Sequence, residues 1–309
     1  MTTEVKSDSP NATAIPTQGR RLLDVLQSGA AWMETRGVEH PRLSFEWLAA
    51  RALGCKRLEL YLRFETILTE SQLVMLRDGM RRMAAGEPLA YVLGDADFMG
   101  RRFVVDRRVL IPRPETEELV GHVLACAPLW QIPAPALADV GTGSGCIALT
   151  LAAERPAAVV LAVDLSEAAL KVARGNAERL ELGARVRFEQ RDLLEGLAGA
   201  SLDGVAANLP YIARGDLAGL PKTVRAYEPE SALDGGADGL NLVRRLAGQA
   251  RTALQPGGWI FLEIGAAQGP MTTECLTALG YVDVEIKPDL AGRARVAIAR
   301  TPGAAGTAT

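Results

Sequence analysis

The sequence predicts an α/β fold: a mostly parallel sheet covered by helices on both faces, preceded by a small helical domain and a β-hairpin linker. Three observations predict it. Strand-like and helix-like segments alternate from Ala136 onward, the order that a parallel sheet requires. The two last strand-like segments are separated only by residues 287–292, too short for a parallel crossover, so they are expected to pair antiparallel. Residues 20–83 show helical spacing and no strand signal.

Taken in order, residues 1–18 are rich in Ser, Thr, Pro and Asn and read as a disordered tail, with a second tail at 302–309. A helical domain is expected over 19–86. Leu22, Leu26, Ala30 and Met33 recur at helical spacing, as do Phe45, Leu48, Ala52 and Leu53. Leu73, Leu76, Met80 and Met83 form a third stripe, which reads as core. Thr69-Glu70-Ser71-Gln72 ahead of it fits a capping box. Beyond Gly86-Glu87-Pro88, residues 89–94 and 102–105 read as the two strands of a hairpin, giving a linker over 87–110. The main domain is expected over 111–301. Pro114 suits the first helical position, and Glu115, Glu117 and Glu118 suit the positive end of that helix. Strands are expected at 137–141, 159–164, 186–189, 204–208, 259–264, 282–286 and 295–299. Helices are expected at 144–153, 166–182, 239–254 and 266–279.

Composition narrows the function. The chain has 309 residues, enough for about two domains. Hydrophobic residues make up 48% and charged residues 23%, as in ordinary globular proteins. A net charge of −3 and a pI near 5.6 argue against a general nucleic-acid binder, which needs a basic surface. Cys55, Cys126, Cys146 and Cys275 form no CxxC pair and read as reduced thiols. His40 and His122 are the only histidines, so no metal site is expected. The first 20 residues hold no apolar core of a secretory signal. No apolar stretch approaches the roughly 20 residues of a membrane span. A cytoplasmic protein without membrane contact is expected.

The strand at 137–141 runs into Gly141, Thr142, Gly143, Ser144 and Gly145, which open a helix. Glycines let the backbone turn sharply and approach a ligand. The dinucleotide pattern would need glycine where Cys146 stands, so a ligand without a pyrophosphate is favoured. Asp164 ends the next strand, where an acid can accept both hydroxyls of a ribose. Ser166 fits the following helix cap better than Asp164 does. After the third strand, Asp192 can receive an adenine amino group while Leu193 packs on the ring; a plain helix cap is the other reading of Asp192. All of these fall at the carboxyl ends of strands, where open α/β sheets bind ligands. The set resembles class I S-adenosylmethionine (SAM)-dependent methyltransferases, which implies a Rossmann-like seven-stranded sheet and SAM as cofactor.

The fourth strand ends in Asn208, Leu209, Pro210 and Tyr211. It resembles the (D/N)-P-P-Y motif of enzymes that methylate a planar NH2 group. Such a nitrogen has its lone pair spread into a π-system and is a poor nucleophile. The Asn208 side-chain oxygen and the Leu209 carbonyl can accept its two N–H groups, orient it and favour the developing positive charge. Tyr211 can stack on the planar group. A sulfonium donor carries its own leaving group, so neither metal nor strong base is needed. Leu209 stands where the motif has proline, but Pro210 still pushes Leu209 toward extended angles.

The surrounding runs carry a narrower resemblance. Tyr91-Val92-Leu93-Gly94, Ile111-Pro112-Arg113-Pro114-Glu115-Thr116-Glu117, Tyr227-Glu228-Pro229, Leu233-Asp234-Gly235-Gly236-Ala237-Asp238-Gly239-Leu240 and Leu262-Glu263-Ile264-Gly265 are similar to the bacterial release factor glutamine methyltransferases, the PrmC/HemK family. The likeness runs from about 20 to 300. It implies methyl transfer from SAM to the side-chain amide nitrogen (N5) of the glutamine in the Gly-Gly-Gln motif of class-1 peptide chain release factors. It also implies a helical domain that contacts the factor, and a monomer with no direct nucleic-acid requirement. The cofactor role falls on Gly141, Thr142, Gly143, Ser144, Gly145, Asp164, Leu193 and Asn208, with Asp192 added from chemistry. The substrate role falls on Asn208, Leu209, Pro210 and Tyr211, with Asn208, Pro210 and Tyr211 as the catalytic set. The long stretch 212–238 is expected to cover the glutamine. A ribosomal-protein glutamine methyltransferase, a nucleic-acid adenine N6-methyltransferase and a non-catalytic SAM-binding protein stay open as alternatives.

Overall fold

The computed structural model describes residues 19–303, so the tail expected at 1–18 and most of the one at 302–309 lie outside the described residues. The chain divides into two units, one ending at Ala85 and the other starting at Gly86.

The first unit is helical: α1 (Leu22–Glu34), α2 (Pro41–Leu53), a 3-10 turn (Arg57–Leu62) and α3 (Glu70–Ala84). Leu22, Leu26, Met33, Phe45, Leu48 and Leu76 form its interior. The capping box forms as expected. The Thr69 hydroxyl accepts from the Gln72 N–H, and the Gln72 side chain accepts from the Thr69 N–H. Glu46 on α2 is buried and binds the 3-10 turn. It accepts from Arg42 and Arg57, each at 2.7 Å, and from the Tyr61 hydroxyl at 2.9 Å.

The second unit opens differently from the expectation. Residues 89–94 are not a strand: Leu89–Leu93 is a short helix, α4, and the hairpin strand starts one turn later. An apolar run of this length has no period that separates strand from helix. Its punctuation decides: Pro88 precedes the first turn, and Gly94 ends it in the left-handed region at φ +81°. The hairpin strands are β1 (Asp95–Phe98) and β2 (Arg101–Val104), closed by Met99 and Gly100, both at positive φ. That two-residue turn suits the strand twist. Phe98 and Phe103 are buried in the core of this unit, and the Asn176 side chain bonds both the N–H and the carbonyl of Val104.

After α5 (Pro114–Ala125) and α6 (Ala127–Trp130) the α/β alternation begins. It runs β3 (Ala136–Val140), α7 (Cys146–Glu154), β4 (Val159–Asp164), α8 (Glu167–Arg179), β5 (Val186–Gln190) and β6 (Leu202–Ala207). Short turns follow, including α9 (Lys222–Arg225), then α10 (Asn241–Ala253), β7 (Leu254–Glu263), α11 (Gly269–Ala278), β8 (Val282–Pro288) and β9 (Ala294–Arg300). The seven-stranded sheet has the order β5-β4-β3-β6-β7-β9-β8. Strands β3 to β7 are parallel, and β9 pairs antiparallel with both neighbours. Chain order reverses at β3, so a crevice opens at the carboxyl ends of β3, β4 and β6, the place where such sheets bind ligands. Helices α7 and α8 pack on one face against Leu137, Val160 and Ala162, and α10 on the other against Val205 and Ile260. Among the described residues no helix is long and apolar enough to cross a membrane.

Candidate active site

A cavity of about 250 Å³ occupies that crevice. Of the residues singled out in the sequence, Gly141, Thr142, Gly143, Ser144, Asp164, Asp192, Leu193, Asn208, Leu209 and Pro210 line it. Gly145 and Tyr211 do not. Gly145 is buried at the start of α7, where a Cβ would meet Leu149 at 3.0 Å and Ala173 at 3.2 Å. Its place is in helix docking. The planar face expected of Tyr211 is likewise not part of the wall. Its hydroxyl donates to Glu263 at 3.3 Å, and the Gln268 side chain donates to its carbonyl at 2.8 Å.

The glycine loop is braced from beneath. Asp139 is fully buried in β3, and one carboxylate oxygen accepts from the Thr142 hydroxyl at 2.6 Å and the Ala148 N–H at 3.0 Å. Burial pushes its pKa up to about 7 despite those bonds. Asp164 accepts from the Gly143 N–H and the Ser166 N–H, both at 2.9 Å. Burial raises its pKa while these N–H groups pull the other way. The Ser166 hydroxyl caps α8 by accepting from Ala169, and each Asp164 oxygen, with one backbone bond, keeps a second acceptor site on the cavity wall. Asp192 lines the cavity but shares one oxygen with Arg245 at 2.8 Å. Leu193 adopts φ +56°, a left-handed conformation that costs a branched residue on the order of 1–2 kcal/mol. Its neighbour Leu194 is fixed through Gln249 at 2.7 Å. Strain of this kind gathers where side chains face ligands.

On the other side of the cavity, the Asn208 Nδ2 donates to the Thr116 hydroxyl at 2.9 Å, and that hydroxyl donates to Glu263 at 2.7 Å. Among the described residues, neither the Asn208 Oδ1 nor the Leu209 carbonyl accepts a protein hydrogen bond. The Leu209 side chain is buried in the core, so packing fixes it where the motif has its first proline ring. The run 233–240 holds the end of the tetrapeptide from outside: the Ile212 N–H donates to the Leu233 carbonyl at 3.1 Å, the Gly235 N–H donates to the Ile212 carbonyl at 2.8 Å, and a Cβ on Gly239 (φ +79°) would meet the Tyr211 carbonyl at 2.2 Å. A third clasp joins two stretches of wall. Buried Glu228 accepts from the Ile111 N–H at 3.1 Å and pairs with Arg113.

The comparisons with known proteins agree with this geometry. A family model described as the PrmC N-terminal domain matches residues 24–94, and one described as a methyltransferase domain matches 136–271. The release factor glutamine methyltransferase of Geobacter sulfurreducens is 41% identical over 277 residues, 90% of this chain and 94% of that protein. The release factor glutamine methyltransferase of Moorella thermoacetica is 45% identical over 264 residues, 85% of this chain and 92% of that protein. The chain belongs to the release factor glutamine methyltransferases. The fold itself also matches the hMettl16 catalytic domain, solved in complex with the MAT2A 3'UTR hairpin 6, with a TM-score of 0.53 and 19% identity over 73% of this chain and 82% of that one.

SAM is the methyl donor of such a domain, and the residues present fit it. A Cβ built on Gly143 would meet no protein atom closer than 4.0 Å and would stand in cavity space. Ser144 borders the cavity, and its buried hydroxyl has no protein partner among the described residues. Asp164 offers the acceptors and Leu193 an apolar wall. Two residues of this methyltransferase site had no role assigned from sequence: Thr116 and Glu263. Each lies inside a family-like run. The available signal was position, since Glu263 ends a buried parallel strand as Asp164 does.

Proposed function

We propose that this chain transfers a methyl group from SAM to the N5 amide nitrogen of the glutamine in the Gly-Gly-Gln motif of class-1 peptide chain release factors. It acts as a cytoplasmic monomer without need of nucleic acid. The observation that carries the reading is the state of Asn208. Its NH2 group is engaged by Thr116, and its oxygen is left free on the cavity wall.

SAM supplies an electrophilic methyl carbon on a sulfonium leaving group. The residues of the chain do the rest. The substrate amide presents two N–H donors in one plane. Asn208 Oδ1 and the Leu209 carbonyl accept them, which aims the nitrogen at the methyl carbon and favours the positive charge it gains. Neither acceptor takes a proton at neutral pH, so both act by orientation and charge. Asp164 holds ribose hydroxyls and Leu193 packs on the base. Asp192, with one oxygen free of Arg245, receives the adenine amino group. Pro210 sets the extended backbone of Leu209. Tyr211 contributes from behind, through Glu263. The turns over 212–238 stand over the glutamine, since Pro229, Ser231 and Ala232 line the same cavity.

The helical unit docks the factor. Support comes from Leu58 and Leu62, which are strongly exposed on its 3-10 turn where a solvated face would carry polar groups. Incubating the protein with SAM and, separately, purified release factor, ribosomal protein and rRNA, followed by mass spectrometry, tests the assignment. A methyl group on the Gly-Gly-Gln glutamine is expected; methylation only of ribosomal protein or of adenine would refute it.

A further inference from the structure

The bonds from Asn208 through Thr116 to Glu263 have a direction. A hydroxyl carries one proton. As a carboxylate, Glu263 can only accept, so Thr116 turns its proton toward Glu263 and must itself accept from Asn208. Only the NH2 end of the Asn208 amide can donate, which leaves Oδ1 toward the cavity. With Glu263 protonated on Oε2, the oxygen that faces Thr116, the order reverses. The acid donates to Thr116, Thr116 donates to Asn208, and the amide rotates to present Oδ1 to Thr116 and NH2 to the cavity. An NH2 group there meets the N–H groups of a substrate amide donor to donor.

We propose that Glu263 is a positioning residue that, through the Thr116 hydroxyl, sets which end of the Asn208 amide faces the reacting nitrogen. This rests on the reading of Asn208 as the acceptor for the substrate amide. The surroundings of Glu263 suit a group that changes state. Thr116 and Glu115 approach from α5, Tyr211 from the end of β6, Cys146 from α7 and Arg295 from β9. Arg295 does not bond the carboxylate directly. It donates to the Ile264 carbonyl at 3.2 Å and the Tyr211 hydroxyl at 3.5 Å, and lies 3.5 Å from Asp289. Burial pushes Glu263 up to about 7, against the Thr116 bond, the Arg295 charge and the Tyr211 bond, with Glu115 adding to the rise.

The test uses the full chain. With uniform ¹⁵N labelling and no substrate present, the Asn208 side-chain amide resonance is expected to shift with pH, with a midpoint near 7. Thr116→Val and Glu263→Gln should abolish that titration, and Thr116→Ser, which keeps the hydroxyl, should retain it. In methyl transfer to release factor, wild-type kcat should rise across the same range. Thr116→Val should lower kcat by about 10- to 100-fold and flatten the rise, as loss of a positioning contact does. Thr116→Ser should restore both. An Asn208 resonance that ignores pH in the wild type, or that titrates unchanged in folded Thr116→Val, overturns the proposal. The resonance needs no release factor, so this failure is separate from a failure of the Asn208 reading, which Asn208→Ala tests by turnover.

Discussion

Glu46 in the helical unit and Glu263 in the catalytic unit are both almost fully buried, and both accept a tyrosine hydroxyl. Their surroundings differ in one respect. At Glu46, Arg42 and Arg57 donate straight to the carboxylate, each at 2.7 Å. Burial would raise its pKa, but the bonds from Arg42, Tyr61 and Arg57 outweigh burial and hold it below the usual carboxylate range. At Glu263 the nearby Arg295 donates elsewhere, burial wins, and the pKa rises to about 7. A guanidinium bonded to a buried acid makes a lasting clasp. A guanidinium directed away leaves a site that exchanges its proton near neutrality.

The largest expected effect lies at the Glu263 end, on the residue it positions. Asn208→Ala should lower kcat by about 10²–10³, roughly 3–4 kcal/mol of barrier, with a smaller change in SAM affinity by calorimetry. Loss of SAM affinity equal to the loss of turnover would remove Asn208 from the substrate side.

Next comes the stability of Glu263→Gln. The folded pKa of Glu263 is raised, so its favourable contribution is complete below its unfolded value and lost as pH rises through about 7. Glutamine does not titrate. The stability of the variant relative to wild type should therefore grow between pH 4.5 and 8, by about 3 kcal/mol. Denaturant unfolding at several pH values reads this directly, and a gap that stays constant with pH would break the contrast with Glu46.

Asp164 offers a third kind of acid, only partly buried on the cavity wall and held by backbone N–H groups. Asp164→Ala should weaken SAM binding by ~1.5–3 kcal/mol, the range for hydrogen bonds to a charged group. Unchanged affinity by calorimetry would mean that its role ends with the loop it braces.

The smallest effect is expected at Glu46→Gln: about 1–2 kcal/mol of stability at pH 7, because Arg42 is partly exposed. Here the folded pKa is depressed, so the loss should shrink as pH falls through it, the opposite trend to Glu263→Gln. Parallel pH trends in the two variants would mean that burial alone governs both sites.

The sequence disclosed what is local. A glycine loop after a strand, an acid at the end of the next and Asn-Leu-Pro-Tyr after the fourth are contiguous patterns, and Ser166 and the Thr69 capping box are set by residues three apart. Residues 89–93 escaped because a five-residue apolar run carries no period, and only Pro88 and Gly94 marked the helix. Thr116 and Glu263 escaped as a pair because 147 positions separate them. Nothing in either neighbourhood says that one hydroxyl bridges α5, β7 and the end of β6. Tyr211 stood in the right tetrapeptide, yet its hydroxyl serves Glu263, and only the fold reveals that.

The Glu228 clasp bears on timing. The Ile111 amide donates to a carboxylate 117 positions along the chain. An amide hydrogen held in this way exchanges with solvent only while its bond is open. The protection of the Ile111 amide thus reads, at one residue, how large a fraction of the molecules has the Glu228 clasp open ahead of α5.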